Sequence, residues 1–215
     1  MTDARGSEIV HGSSEDRALP MSGAPTAVKI VVSGGFGVGK TTFIGAISEI
    51  EPLVTEAAMT EASVGVDDTS TLAAKTTTTV ALDFGRIRLD HNIILYLFGT
   101  PGQDRFTFLW DDLAEGALGT VILADTRRIE DCYPVLDYFE ERSIPFLVAV
   151  NHFDEAEHFD VGEIREALGV NSSVPVVNCD ARYRESVKQV LVALMERVLL
   201  RYATRLEPRR LPASG

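Results

Sequence analysis

Short apolar runs alternate with amphipathic stretches along most of the chain, and that rhythm predicts strands and helices in turn. Val28 to Ser33 is apolar and β-branched, the pattern of a buried strand. Glycines follow, and then a helix is predicted from about Lys40 to Ile50. Glu51 to Thr77 is rich in Thr and Ala with no sustained period, and reads as a long loop. From Thr78 the apolar residues Val80, Leu82 and Phe84 alternate, then slip by one across Gly85 to Ile87 and Leu89, which predicts a strand with a bulge. Asp90-His91-Asn92 is a turn, and Ile93 to Phe98 is the hairpin partner. Thr120 to Ala124, Phe146 to Val150 and Val174 to Asn178 are further buried strands. Helical spacing marks Glu130 to Arg142, Val161 to Leu168 before Gly169, and Glu185 to Tyr202, where Val187, Val190, Leu191, Leu194, Val198 and Leu199 fall on or near one face. Strands alternating with helices predict an α/β fold: a six-stranded, mainly parallel sheet with one antiparallel edge strand and helices on both faces.

Composition adds boundaries. Residues 1–26 are rich in Gly, Ser, Ala, Asp, Glu and Pro and read as a disordered arm, 27–204 as one domain, and 205–215 as a tail. The longest apolar runs fall far short of the roughly 20 residues needed to span a bilayer, so no transmembrane segment is expected. Cys132 and Cys179 have no metal-like spacing, which points to a reducing, cytoplasmic setting rather than a disulfide framework. The net charge of −12 argues against a protein that coats nucleic acid. It leaves a phosphate ligand open, because backbone dipoles rather than global charge build such a site.

The candidate chemistry starts at Gly34-Gly35-Phe36-Gly37-Val38-Gly39-Lys40-Thr41, which fits G-x-x-x-x-G-K-[ST] between a predicted strand and a predicted helix. Glycines let backbone N–H groups turn inward around a phosphate, and the helix start adds its positive dipole end. Gly35, Phe36, Gly37, Val38, Gly39, Lys40, Thr41 and Thr42 are therefore the candidate phosphate cradle. Lys40 is expected on the β- and γ-phosphates, and the Thr41 hydroxyl on Mg²⁺. The alternative, a glycine-rich turn with a chance lysine, does not account for the flanking strand and helix.

Later segments bear on the base and on catalysis. Asn151-His152-Phe153-Asp154 follows a predicted strand and resembles the N-K-x-D guanine motif of Ras-like GTPases. The resemblance implies that Asp154 accepts hydrogen bonds from guanine N1 and N2, that Asn151 ties the loop to the base site, and that His152 stands where a lysine stem packs on the base. Cys179-Asp180-Ala181-Arg182 resembles the S-A-K segment, which implies an Ala181 N–H on guanine O6 with Arg182 beside it. Gly99-Thr100-Pro101-Gly102-Gln103 resembles the second switch D-x-x-G-Q, with the Gly102 N–H on the γ-phosphate and Gln103 orienting the attacking water. Thr79 resembles the first-switch threonine that completes Mg²⁺ coordination, although Thr76 to Thr79 are all threonine and the register among them stays open.

Taken together, the stretches L-F-G-T-P-G-Q-D-R-F and T-V-A-L-D-F-G resemble the bacterial conservon GTPases, with the gliding-polarity GTPases as more distant relatives. The resemblance spans about Val28 to Tyr202. It implies a Ras-like P-loop domain that binds GTP and GDP with Mg²⁺ and hydrolyses GTP as a signalling switch. It also implies a roadblock/LC7-type regulatory protein and a histidine-kinase-like membrane sensor as partners, and through them recruitment to the inner face of the membrane.

Two departures bear on that reading. Gly99 stands where such proteins carry an aspartate that holds a metal-bound water, so metal binding is expected to rest on Thr41, the phosphates and water. Phe36 stands at a position usually glycine, where a side chain projects toward the space of the catalytic glutamine and of an arginine finger, so intrinsic hydrolysis is expected to be slow. Two rival readings therefore remain: a catalytically impaired pseudo-GTPase scaffold and an ATP-using P-loop protein. Arg105 reads as a surface switch residue before it reads as a catalytic one. Phe106, Phe108 and Trp110 read equally as a partner surface or as packing of a short helix, which burial decides.

Overall fold

A computed structural model of the chain describes residues 24–51, 53–60, 77–102 and 106–206. The predicted arm, apart from residues 24–26, and the predicted tail, apart from residues 205–206, lie outside the described residues, as do Gln103 and Arg105. Strands β1 (Thr26–Ser33), β2 (Leu53–Thr60), β3 (Thr77–Arg88), β4 (Ile93–Gly99), β5 (Gly119–Ala124), β6 (Phe146–Asn151) and β7 (Val176–Cys179) form one sheet in the order β2-β3-β4-β1-β5-β6-β7. Helices α1 (Lys40–Ile47), α2 (Leu109–Ala114), α3 (Tyr133–Glu141), α4 (Val161–Leu168) and α5 (Arg184–Leu206) flank it. A 3₁₀ segment, Thr126–Cys132, leads into α3.

The central strands are buried on both faces, as their unbroken apolar runs demand: every residue of β5 is buried. One face packs Ile30, Val32, Val121 and Leu147 against Phe43 and Ile44 of α1 and Val187, Val190 and Leu194 of α5. The other packs Val31, Ile122 and Val148 against Trp110, Phe139 and Ile164 of α2, α3 and α4. Leu199 falls outside the buried stripe of α5 and is exposed. α4 has the ends its sequence encodes: an Asp160–Glu163 capping box at the start and Gly169 with φ 65° at the finish. Among the described residues no helix is long and apolar enough to cross a membrane.

The six expected strands are β1 and β3 to β7, and β3 alone among them runs antiparallel. The segment read as a loop adds a seventh strand, β2, paired antiparallel with β3 from Leu53↔Phe84 to Thr60↔Thr77. The antiparallel strand is thus one place in from the edge. A strand at a sheet edge is held by backbone pairing on one side, so Leu53–Thr60 forms without a clear hydrophobic alternation in its sequence. The expected bulge at Gly85 is also absent: β3 pairs with β4 without a skip, Phe84↔Phe98, Gly85↔Leu97, Arg86↔Tyr96. The apolar slip has another cause. Phe84 stacks on Tyr96 and leans on Phe98 on one face, while Gly85 and Ile87 face α1 on the other. A Cβ at Gly85 would lie 2.6 Å from Ile44 Cγ2, so the close helix requires glycine there.

β1 lies between β4 and β5, where chain order along the sheet reverses. The loops that leave the carboxyl ends of β1, β4, β6 and β7 converge there, the usual crevice for a ligand in an open α/β sheet.

Candidate functional site

The turn after β1 is shaped by glycines. Gly34, Gly37 and Gly39 have φ of 140°, 73° and 104°, a region side chains rarely enter. At Gly34 a Cβ would lie 2.5 Å from the Leu123 carbonyl oxygen, and at Gly39 2.6 Å from Asn151 Nδ2. Lys40 opens α1 and is buried. Its ammonium donates to the carbonyls of Gly34 at 2.8 Å and Gly35 at 2.7 Å, which bends the loop around it. Burial pushes the Lys40 pKa down to about 8, with Asp83 and Asp131 pulling the other way. No side chain caps the start of α1 and its first turn holds no acid, so its first N–H groups face the loop without a side-chain partner.

Neighbouring elements brace the loop. The Phe36 carbonyl accepts from Arg128 Nη2 at 2.6 Å, and Asp125 and Asp131 flank that guanidinium. The Phe36 ring is 63% exposed. The exposed Thr41 donates its hydroxyl proton to Asp83 Oδ2 at 2.8 Å, across from β3. Ser33 and Thr100 share a buried hydrogen bond of 2.8 Å, tying the end of β1 to the segment after β4. Gly102 lies directly on the loop: a Cβ there would come 2.7 Å from Lys40 Nζ and 2.9 Å from the Gly35 carbonyl oxygen.

The second half of the site hangs on Asn151. Its buried amide donates to the Val38 carbonyl at 2.9 Å, and its Oδ1 accepts the Ala181 N–H at 3.0 Å. One side chain therefore joins the phosphate loop to the turn after β7. Asp154 is exposed and receives a fork from Arg182, with Nη1 to Oδ2 at 3.0 Å and Nη2 to Oδ1 at 3.1 Å. Arg182 also binds Asp180 through Nε at 2.9 Å and Nη2 at 2.7 Å. The Arg182 bonds hold both carboxyls below the usual carboxylate range. Between the two halves lies a cavity of about 220 Å³ lined by Gly37, Gly39, Thr42, Asn151, His152, Phe153, Asp154, Ala181 and Arg182. A larger cavity, about 450 Å³, shares Asn151, His152 and Phe153 but has no phosphate-loop residue in its wall.

The fold thus brings together Gly35, Phe36, Gly37, Val38, Gly39, Lys40, Thr41, Thr42 and Gly102 at one end, and Asn151, His152, Asp154, Ala181 and Arg182 at the other. Several expectations need correction in detail. The Ala181 N–H is engaged by Asn151 rather than turned freely into the cavity. Arg182, expected beside Ala181 at the base, is bound instead to the Asp154 and Asp180 carboxylates. His152 stacks on His158 at 4.9 Å, so one ring face is covered. Thr79 is not brought to Thr41: it pairs with Ala58 in the β2–β3 ladder, and four residues of strand put it about 13 Å along β3 from Asp83. Gln103, the expected water-positioning residue, lies outside the described residues. Phe106 and Trp110 are buried, so for them packing is the answer, while Phe108 is exposed. Sequence reasoning missed Asp83 and the Arg128–Asp125–Asp131 brace. Asp83 lies far from the loop in sequence, and only the antiparallel course of β3 returns it.

Residues 32–200 match a protein family described as conserved hypothetical ATP binding protein. The chain belongs to this family. The relatives found by sequence are distant. An uncharacterized protein of Methanocaldococcus jannaschii is 27% identical over 64% of this chain and 77% of its own length. An elongation factor G-like protein of Synechocystis is 27% identical over 69% of this chain, which spans only 22% of that protein. Among solved structures, the G domain of FeoB from Methanococcus jannaschii superposes with a TM-score of 0.54 at 19% identity, covering 80% of this chain and 98% of that one. The cytosolic domain of the T. maritima FeoB iron transporter in a GDP form gives 0.58 at 21% identity, covering 82% of this chain and 65% of that one. These likenesses show the fold: this family member is a P-loop protein with the architecture of nucleotide-binding G domains.

Proposed function

We propose that the chain binds guanine nucleotides in preference to adenine nucleotides and works as a GTP-hydrolysing switch. The observation that carries the reading is the Asp154 carboxylate at the rim of the cavity, already accepting two parallel N–H bonds from Arg182. Guanine offers the same pair of donors through N1–H and the N2 amine, and adenine does not. The Asn151 bridge supports the reading further, because it fixes that carboxylate's loop against the phosphate cradle. The family description names ATP and favours the rival in which adenine is the base. Equilibrium binding of GDP and ADP to the same protein decides: tighter GDP binding is expected, and equal or tighter ADP binding overturns the proposal.

In this reading Lys40 stabilises charge on the β- and γ-phosphates, the Gly102 N–H closes on the γ-phosphate, and Gln103 orients the attacking water. Mg²⁺ would neutralise phosphate charge, with the Thr41 hydroxyl among its ligands. Thr79 enters the metal site only if the first switch leaves the β2–β3 ladder. The sequence resemblance supports a conservon-type switch with a roadblock/LC7-type regulator and a histidine-kinase-like membrane sensor. Hydrolysis is slow because the Phe36 ring stands in the approach of water and of any arginine finger. Phe36→Gly is expected to raise the single-turnover rate of GTP hydrolysis; an unchanged or lower rate removes this role from Phe36. A parent protein with no turnover, alone or with a regulator, favours the pseudo-GTPase scaffold.

A further inference from the structure

We infer that Asp83 on β3 supplies the metal-side carboxylate that Gly99 on β4 lacks. The inference rests on the nucleotide reading above. It concerns which residue of this chain serves the cation beside the phosphates.

Three observations carry it. First, the β3–β4 register runs Phe84↔Phe98, and one further step puts Asp83 beside Gly99. A Cβ built on Gly99 would lie 2.9 Å from Asp83 Cβ and 3.1 Å from Asp83 Oδ2. The two positions compete for one volume, and here the side chain from β3 fills it. Glycine at 99 is what admits the carboxylate. Second, Asp83 Oδ2 accepts the Thr41 hydroxyl proton at 2.8 Å. A hydroxyl that gives its lone pair to a cation must aim its proton elsewhere, and Asp83 is the acceptor that orients it. Third, no lysine or arginine among the described residues lies within salt-bridge distance of Asp83, and its charge acts on the Lys40 ammonium only through space, so no contact ion pair holds the carboxylate back from a cation or a cation-bound water. An oxygen donor set of hydroxyl, carboxylate, phosphate and water is the kind a hard divalent ion takes.

The test uses the full chain, with GDP and Mn²⁺ as the probe. GDP affinity is measured in EDTA, and Mn²⁺ affinity of the GDP complex by the electron paramagnetic resonance of free Mn²⁺. Asp83→Asn keeps an acceptor for Thr41 and removes the charge. It is expected to lower Mn²⁺ affinity by about 10–100-fold, the usual loss for a group that holds a metal's ligands or waters, and to leave GDP affinity in EDTA unchanged. The exchange variant Asp83→Gly with Gly99→Asp is expected to regain most of the lost Mn²⁺ affinity. Parent-like Mn²⁺ affinity in Asp83→Asn overturns the inference while leaving the nucleotide reading intact. So does an equal loss of GDP affinity in EDTA, which marks a structural role, or an exchange variant that binds GDP but holds Mn²⁺ no better than Asp83→Asn. A parent that binds no GDP in EDTA or with Mn²⁺ overturns the nucleotide reading, and the inference with it.

Discussion

At the phosphate end of the site Lys40 is buried and bonds to backbone carbonyls, whereas at the base end Asp154 and Arg182 are exposed and bond side chain to side chain. The phosphate end is shaped by glycine dihedrals and by strands that are part of the core, so it exists before any ligand arrives. At the base end a charged fork holds the acceptor in a water-exposed setting, where such pairs are weak and exchange readily. On the proposed guanine reading, grip and choice are thus carried by different physics: a rigid, partly dry cradle would supply affinity, and an exposed carboxylate that can change partners would select the base.

Breaking the rigid half should cost the most. Lys40→Met is expected to weaken GDP binding by at least about a hundredfold, because bonds from a charged group to phosphate are among the strongest available and this one is buried. Isothermal titration checks it, and a loss of only a few-fold would put the cradle's grip in the backbone alone. Asp154→Asn should reduce the preference for GDP over ADP by about tenfold or more, since an amide no longer accepts both guanine donors as a charged acceptor. Competition between the two nucleotides reads that ratio directly.

Proton linkage separates the halves more gently. Lys40 loses its proton in the free protein near pH 8, below the ordinary lysine value of 10.5. Between those values the unfolded chain keeps a proton that the folded chain has released, so the free protein gains stability as pH rises through that window. Nucleotide binding needs the charged amine and should weaken above pH 8, by at most about tenfold per pH unit. The decline should be absent in Lys40→Arg measured in parallel, and a decline common to both proteins would trace to the ligand. The smallest effect is expected at Arg182. Arg182→Ala frees Asp154 for the base and should tighten GDP binding only a few-fold, as expected for an exposed pair. Weaker binding instead would make Arg182 a direct base contact.

The same contrast governs what the sequence made legible. The placement of Gly34 to Thr41 could be read because the motif encodes backbone geometry locally, and that of Asn151, Asp154 and Ala181 at the same cavity because each comes at or just after the end of a strand whose apolar run is unmistakable. Partner choice among exposed charges was not legible: nothing in Cys179-Asp180-Ala181-Arg182 says that Arg182 takes Asp154 as well as Asp180. β2 was missed because edge pairing needs no hydrophobic alternation. The slip at Gly85 was read as a bulge because a change of covered face and an inserted residue shift the pattern in the same way. Asp83 escaped notice because its proximity to Thr41 is a product of register, which single-strand periodicity does not contain.

Gly39 and Asn151 carry one last consequence. The amide nitrogen of Asn151 occupies space that a methyl group on residue 39 would enter, at 2.6 Å. The gap between the turn after β1 and the end of β6 is therefore gauged by one hydrogen atom, where any other amino acid would put a carbon against the Asn151 amide.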